Sequence, residues 1–162
     1  MVVIKKLPVS RWKDYRDLRL EALKKDPTAF ESSYEEQRLA KENKWKKGIR
    51  NVLFAMSNDK PIGMIVYVFE DKMKTRHLAN IFGVYVKKEF RGMGIGRQLI
   101  ESAISMIKQN KNIIKIGLTV NPKQKAALSL YKKFGFKKVG LMKKDACVNG
   151  KFYDELIMEK IF

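Results

Sequence analysis

Between His77 and Val120 the chain runs through an apolar stretch, a glycine-rich turn, an amphipathic stretch and a second apolar stretch, and no other feature restricts its fold as much. The segments "HLANIFGVYV" (77–86) and "IIKIGLTV" (113–120) are apolar on both faces, as strands in the middle of a sheet are. Between them Ile95, Leu99, Ile100, Ala103, Ile104 and Ile107 recur at the 3.6-residue period of a helix. A strand, a helix and a strand in that order imply parallel neighbours, because the crossover returns the chain to the edge from which it left.

The remaining segments surround this unit. "MVVIKKL" (1–7) reads as a first strand, and Ser10 is placed to cap a helix carrying Trp12, Tyr15, Leu18, Leu20 and Leu23 that stops before Pro27. A more polar helix is expected from about Ser33 to Lys47. "NVLFAMS" (51–57) and "PIGMIVYVFE" (61–70) read as strands joined by the turn "NDK". Asn121 is expected as an N-cap with Pro122 in the first helical position, and Gly135 as the stop of that helix. "FKKVGLMKK" (136–144) and "KFYDELIMEKIF" (151–162) read as closing strands around Asn149-Gly150, a strong hairpin signal. The expectation is one mixed α/β (α+β) domain over residues 1–162. Its twisted sheet is mostly antiparallel, with about seven strands and four helices. Adjacent strands without an intervening helix set the antiparallel part.

A net charge of +18 admits nucleic acid, an anionic membrane surface or an anionic small ligand. The densest basic run, "KENKWKKGIR" (41–50), holds five basic residues and Trp45, but lysines are scattered through every other element as well. Solvated faces account for most of that charge, so neither nucleic acid nor a membrane is the expected partner. No run approaches the roughly 18 apolar residues a bilayer span requires. One cysteine, Cys147, cannot form an internal disulfide, and a single histidine, His77, excludes the usual zinc sites, so no metal is expected. A reducing cytoplasm fits this usage. Cys147 lies in a loop-like segment, and His77 at the start of its strand reads as exposed.

Three glycines in the order Arg91-Gly92-Met93-Gly94-Ile95-Gly96-Arg97 open the central helix. A P-loop requires Lys and then Ser or Thr after its last glycine, where this chain has Arg97-Gln98. A dinucleotide fingerprint has a different glycine spacing and a carboxylate at the end of the next strand, which here ends in Leu118-Thr119-Val120. What fits is a helix N-terminus whose unpaired N–H groups face an anion, with glycines keeping side chains away and Arg91 and Arg97 adding charge. A diphosphate is the natural ligand.

"VYVKKEFRGMGIGRQLI" resembles the acetyl-coenzyme A motif of the GCN5-related N-acetyltransferases, Arg/Gln-x-x-Gly-x-Gly/Ala, matched by Arg91, Gly94 and Gly96. "AALSLYKKFGF" (126–136) is similar to that family's second signature, Ala-x-x-Leu-Tyr-x-x-x-Gly-Phe. The resemblance implies the family's fold, splayed between the 77–86 and 113–120 strands. It also implies acetyl-coenzyme A as cosubstrate and transfer to a primary amine. The diphosphate would lie on the amides of Arg91, Gly92, Met93, Gly94, Ile95, Gly96 and Arg97. The pantetheine arm would run beside Val84, Tyr85 and Val86, with Gln124 and Lys133 as further contacts, and Gly83 could form a bulge in that strand.

By the same resemblance Tyr131 is the proton donor to the leaving thiolate. Where many members carry a strand glutamate, this chain has Asn80, which could hold a water that relays the amine proton. Glu35 and Glu36 are candidate acceptor-binding acids, and Asp154 and Glu155 are further carboxylates. Thr119 replaces the glutamate of the bacterial ribosomal-protein N-terminal acetyltransferases. The acceptor is a small-molecule or peptide amine, and the assembly a monomer or homodimer. Two other readings remain: a basic nucleic-acid-binding module, and a sensor that binds acyl-coenzyme A without turnover.

Overall fold

In a computed structural model describing residues 1–162, the seven strands are β1 (Val3–Lys5), β2 (Val52–Ser57), β3 (Lys60–Phe69), β4 (Leu78–Val86), β5 (Lys115–Val120), β6 (Lys137–Val148) and β7 (Lys151–Ile161). They form one sheet in the order β1-β2-β3-β4-β5-β7-β6. Every neighbouring pair is antiparallel except β4 and β5, the two strands that flank the crossover. The β2–β3 and β6–β7 turns place Asn58, Asp59, Asn149 and Gly150 at positive φ. Two consecutive left-handed residues give the turn twist that matches a hairpin, and Asn, Asp and Gly tolerate it best.

Five helices cover the sheet: α1 (Trp12–Lys25), α2 (Tyr34–Gln37), α3 (Glu42–Gly48), α4 (Ile95–Lys108) and α5 (Lys125–Lys133). The helix expected over 33–47 is broken in two, so there are five rather than four. Lys41 is extended (ψ 157°), and beyond it the Trp45 indole donates to the Ala40 carbonyl at 3.2 Å. The break lets Trp45 turn inward against the edge of Tyr15, with ring centroids 5.5 Å apart.

Ser10 does not cap α1. It lies in a 3-10 turn, and Arg11 precedes the helix without a side-chain cap. Arg11 instead bonds Asp14 at 2.6 Å and Asp59 at 2.7 Å. Asn121 does not cap α5 either. Its Oδ1 accepts from the Lys123 N–H at 2.9 Å, so residues 121–123 form a turn and the helix starts at Lys125. Gly135 (φ 85°) closes α5, with the Phe136 N–H returning to the Tyr131 carbonyl. Cys147 belongs to strand β6 rather than to a loop, and is exposed.

The core divides by sheet face. On one side, Ala79, Ile81, Ile116, Leu118, Val120, Leu156 and Met158 pack with the α4 stripe predicted from its spacing. On the other, Phe54, Met56, Met64 and Tyr85 pack with Tyr15, Leu18 and Ala22 of α1 and Trp45 of α3. Burying each Leu or Ile of the α4 stripe contributes roughly 1.5–3 kcal/mol before entropy is counted. That burial fixes where the N-terminus of α4 must stand.

Candidate active site

The parallel pair β4–β5 is joined only at Leu78↔Lys115, Ala79↔Ile116 and Asn80↔Gly117. Beyond Asn80 the strands separate. β4 bends there because Gly83, at φ 57°, inserts an extra residue opposite β3. The register passes from Val66↔Phe82 to Met64↔Tyr85, two residues on one strand against three on the other. The bulge resets the alternation. The Lys87 N–H donates to the Ile62 carbonyl, so the N–H groups of Val84 and Val86 point away from β3 into the gap.

A cavity of about 650 Å³ opens at this gap. It gathers Val84, Tyr85, Val86, Arg91, Gly92, Gly94, Ile95, Gly96, Arg97, Gln124 and Lys133. The sequence places these residues as cofactor contacts. Met93 is not among its walls, and its side chain projects into solvent at 61% exposure. The walls also include Asp26, Lys123, Lys125 and Ser129, which the motifs do not mark. Five cations (Arg91, Arg97, Lys123, Lys125, Lys133) thus face one acid, Asp26.

Helix α4 begins at this cavity without a side-chain cap, after Gly92 (φ 79°) and Gly94 (φ 76°). No turn or cap bond is donated by the backbone of residues 92–97; the first donor is Gln98, to the Gly94 carbonyl at 3.1 Å. A Cβ added at Gly92 or Gly94 would meet nothing within 4 Å, so it is backbone conformation rather than crowding that calls for glycine. Free donors, a helix dipole and surrounding cations are the features by which a helix N-terminus attracts an anion. Arg91 is less available than its position in the motif implies. Its guanidinium bonds Asp26 and, at 2.9 Å, the Val86 carbonyl, tying the end of β4 to the end of α1. Arg97 is exposed and makes no ion pair with protein.

Tyr131 is 6% exposed and does not line the cavity wall; its ring meets the edge of Phe136 at 5.9 Å. Burial alone pushes its phenol well above the ordinary range, so it stays protonated at neutral pH. Asn80 stands at the apex of the gap, on the last paired rung. Its Nδ2 donates to Glu70 Oε1 at 2.8 Å, and its Oδ1 lies where a Cβ at Gly117 would come within 2.8 Å. Glu70, the residue after β3, therefore brings a carboxylate to the apex. It escapes motif reading because only the β3–β4 register places it there. Glu35 is exposed, and Glu36 completes the Ser33 capping box at the start of α2; neither lines the cavity.

Glu155, on β7, is half-buried. Burial, reinforced by Asp145 and Glu31, pushes its carboxyl up to about 7. Arg19 of α1 packs against the bulge. Its Nη1 lies 2.8 Å from the position of a Gly83 Cβ, and its guanidinium covers the Phe30 ring at 4.7 Å. The Arg19 Nε and Nη1 are buried with no hydrogen-bond partner, as is Asn121 Nδ2. Trp45, the aromatic of the basic run 41–50, is 3% exposed and offers no stacking surface for a base.

The acetyltransferase (GNAT) family matches residues 12–136. An L-amino acid N-acetyltransferase of Escherichia coli, AaaT, is 27% identical over 72% of this chain and 70% of its own length. An N-alpha-acetyltransferase of Sulfolobus acidocaldarius is 34% identical over 40% of this chain, and only 38% of that relative is spanned. Among solved structures, a GNAT-family acetyltransferase of Streptococcus pneumoniae superposes with a TM-score of 0.87 at 24% identity, over 100% of both chains. A phosphinothricin acetyltransferase of Sinorhizobium meliloti in complex with acetyl-coenzyme A has a TM-score of 0.80 at 18% identity, covering 99% of this chain and 88% of that one. At these identities the superpositions establish the shared fold.

Proposed function

The chain belongs to the acetyltransferase (GNAT) family, and from that premise we propose that it moves the acetyl group of acetyl-coenzyme A to the primary amine of an acceptor, by direct attack in a ternary complex. The observation that carries this reading is the uncapped N-terminus of α4, opening through Gly92 and Gly94 onto a cationic cavity between β4 and α5.

Acetyl-coenzyme A would supply an activated acyl group as a thioester. The amides of 92–97 hold its diphosphate, with Arg97, Lys123, Lys125 and Lys133 adding charge. The Val84 and Val86 N–H groups, turned into the gap by the bulge, bond the arm and polarise the acetyl carbonyl; one such donor is worth about 3 kcal/mol in the transition state. The amine nitrogen forms the new bond to carbon as the carbon–sulfur bond breaks. The amine proton passes to a carboxylate, and the thiolate is met by a proton donor. Tyr131 is assigned that second role. Full transfer from a phenol above pKa ~10 to a thiolate of pKa ~8.5 is uphill by about 2 kcal/mol or more, so Tyr131 acts chiefly as a hydrogen-bond donor. For the first role, Asn80 and Glu70 at the apex hold a relay water, and Glu155 is the competing carboxylate.

The acceptor class follows relatives only loosely. The name of the Escherichia coli protein specifies L-amino acids, and that of the archaeal protein an N-alpha amine. Calorimetry with coenzyme A and assay of released thiol test the reading together. Gly94→Val, which forces a branched side chain to positive φ at the seat, weakens coenzyme A binding by more than about tenfold. Tyr131→Phe lowers kcat by about 10²-fold with little change in affinity. Unchanged affinity in the first variant removes the diphosphate seat. Tight cofactor binding by the parent chain without turnover of any amine leaves a non-catalytic binder.

A further inference from the structure

Arg19 carries the only buried guanidinium nitrogens without a hydrogen-bond partner, and only the Phe30 ring faces its charge. Its Nε and Nη1 are occluded and unpartnered, and no carboxylate contributes to its environment. Other partly buried cations are paired: Arg11 with Asp14 and Asp59, Lys87 with Glu21, Lys115 with Glu159. Leaving a buried cation without hydrogen bonds is strongly unfavourable, and such a group calls for a partner from outside the chain: a water, an ion or a ligand.

The position of Arg19 says which ligand. It packs on the Gly83 bulge, next to the Val84 N–H, from the α1 side of the sheet, and it is not among the walls of the cationic cofactor cavity. On that same side the alternation of β4 and β3 places Asn80 and Glu70, three residues from the bulge and so within about 10 Å along the strand. By the acetyl-transfer reading the carbonyl under attack lies at the Val84 N–H, one residue from the Gly83 position that Arg19 packs on, so an attacking amine stands within a few bonds of an anion held at Arg19. The Phe30 ring, 4.7 Å from the guanidinium carbon, adds a cation–π contact on one side of it.

We propose that Arg19 binds the carboxylate of the acceptor, so that the substrates are small amines carrying a carboxylate close to the amine, as free amino acids do, rather than peptide or protein N-termini. This rests on the acetyl-transfer reading and specifies its acceptor. Charge-assisted bonds from a fixed, desolvated guanidinium discriminate well, because an acceptor lacking the carboxylate leaves the cation unanswered.

The test compares the common L-amino acids with their C-terminal amides and with short peptides, in the parent chain and in Arg19→Gln, read by thiol release. For the parent chain kcat/KM favours acids over amides by about 10²-fold, mainly through KM, and the ratio falls towards one in Arg19→Gln because acids lose. Equal rates on acids and amides, preference for peptides, or discrimination that survives in Arg19→Gln each overturn the proposal. If no amine is turned over, calorimetry of the same amino acids against the coenzyme A complex decides it: binding lost in Arg19→Gln supports the site, and no binding by the parent chain removes it. Coenzyme A affinity, measured separately, is retained in Arg19→Gln. Its absence in the parent chain would strike the transferase reading and not the anion site. Arg19→Lys keeps the charge without the fork and recovers only part of the discrimination.

Discussion

The two faces of the sheet solve different problems. Under α4 and α5 the buried cluster runs from Leu53 to Met158, and apart from the Tyr67 and Tyr131 hydroxyls its side chains are apolar. Under α1 and α3 the smaller cluster is interrupted by an unpaired guanidinium at Arg19 and bordered by the Asn80–Glu70 pair and the half-buried Glu155. The first face holds the frame and presents the free end of α4. The second carries the unpartnered Arg19 nitrogens and two carboxylates, Glu70 and Glu155. Polarity left incomplete is unfavourable for folding, so its concentration on one face marks where ligand contacts are expected.

The sharpest way to break this contrast is to truncate one side chain on each face. Leu99→Ala, at a fully buried position of α4, costs about 3–4 kcal/mol of unfolding free energy, seen as a lower urea midpoint at unchanged slope. A loss under about 1 kcal/mol would mean that α4 is not packed as described.

Glu155→Gln probes the second face through pH. The folded carboxyl titrates near 7, above its unfolded value of ~4.3, so the folded state binds more protons between these values. The contribution of Glu155 to stability is therefore fully present below ~4.3 and is lost as pH rises through 7. Glu155→Gln removes that decline, and urea midpoints at pH 5 and pH 8 move closer together. If Glu155 also accepts the amine proton, the break in the kcat/KM profile near pH 7 disappears in this variant, leaving only the slope from the acceptor's own amine, whereas Glu70→Gln leaves the break in place.

The smallest expected effect is the most diagnostic. Arg19→Met removes a buried charge at the loss of one contact, with the Phe30 ring, and breaks no hydrogen bond or ion pair, so the unfolding free energy stays within about 1 kcal/mol of the parent or rises. A loss comparable to Leu99→Ala would show that Arg19 supports the fold and would end the contrast between faces.

Much of the frame was legible in the chain alone. The α4 stripe, the central strands, both Asn- or Asp-containing hairpin turns and the Gly135 stop follow from periodicity and from residues that tolerate positive φ. The glycine turn and its cations were legible for the same reason, because a helix N-terminus without a capping side chain has an obvious use. The misreadings share a cause. Ser10, Asn121 and the 33–47 stretch all have good local helix signals, yet Arg11's ion pairs, the Asn121 turn and the burial of Trp45 won over them.

What the sequence determined by itself is whatever depends on neighbours along the chain: element type, the parallel crossover and the uncapped, glycine-led opening of α4 at Gly92–Arg97. Tertiary structure alone decided what depends on register and on packing between distant segments. The bulge at Gly83 turns Val84 into the gap, Glu70 reaches Asn80 only through the β3–β4 pairing, and Arg19 is stranded only once α1 lies on the sheet. Local propensity has a range of a few residues, whereas desolvation and hydrogen-bond completion are settled by whatever the fold brings alongside.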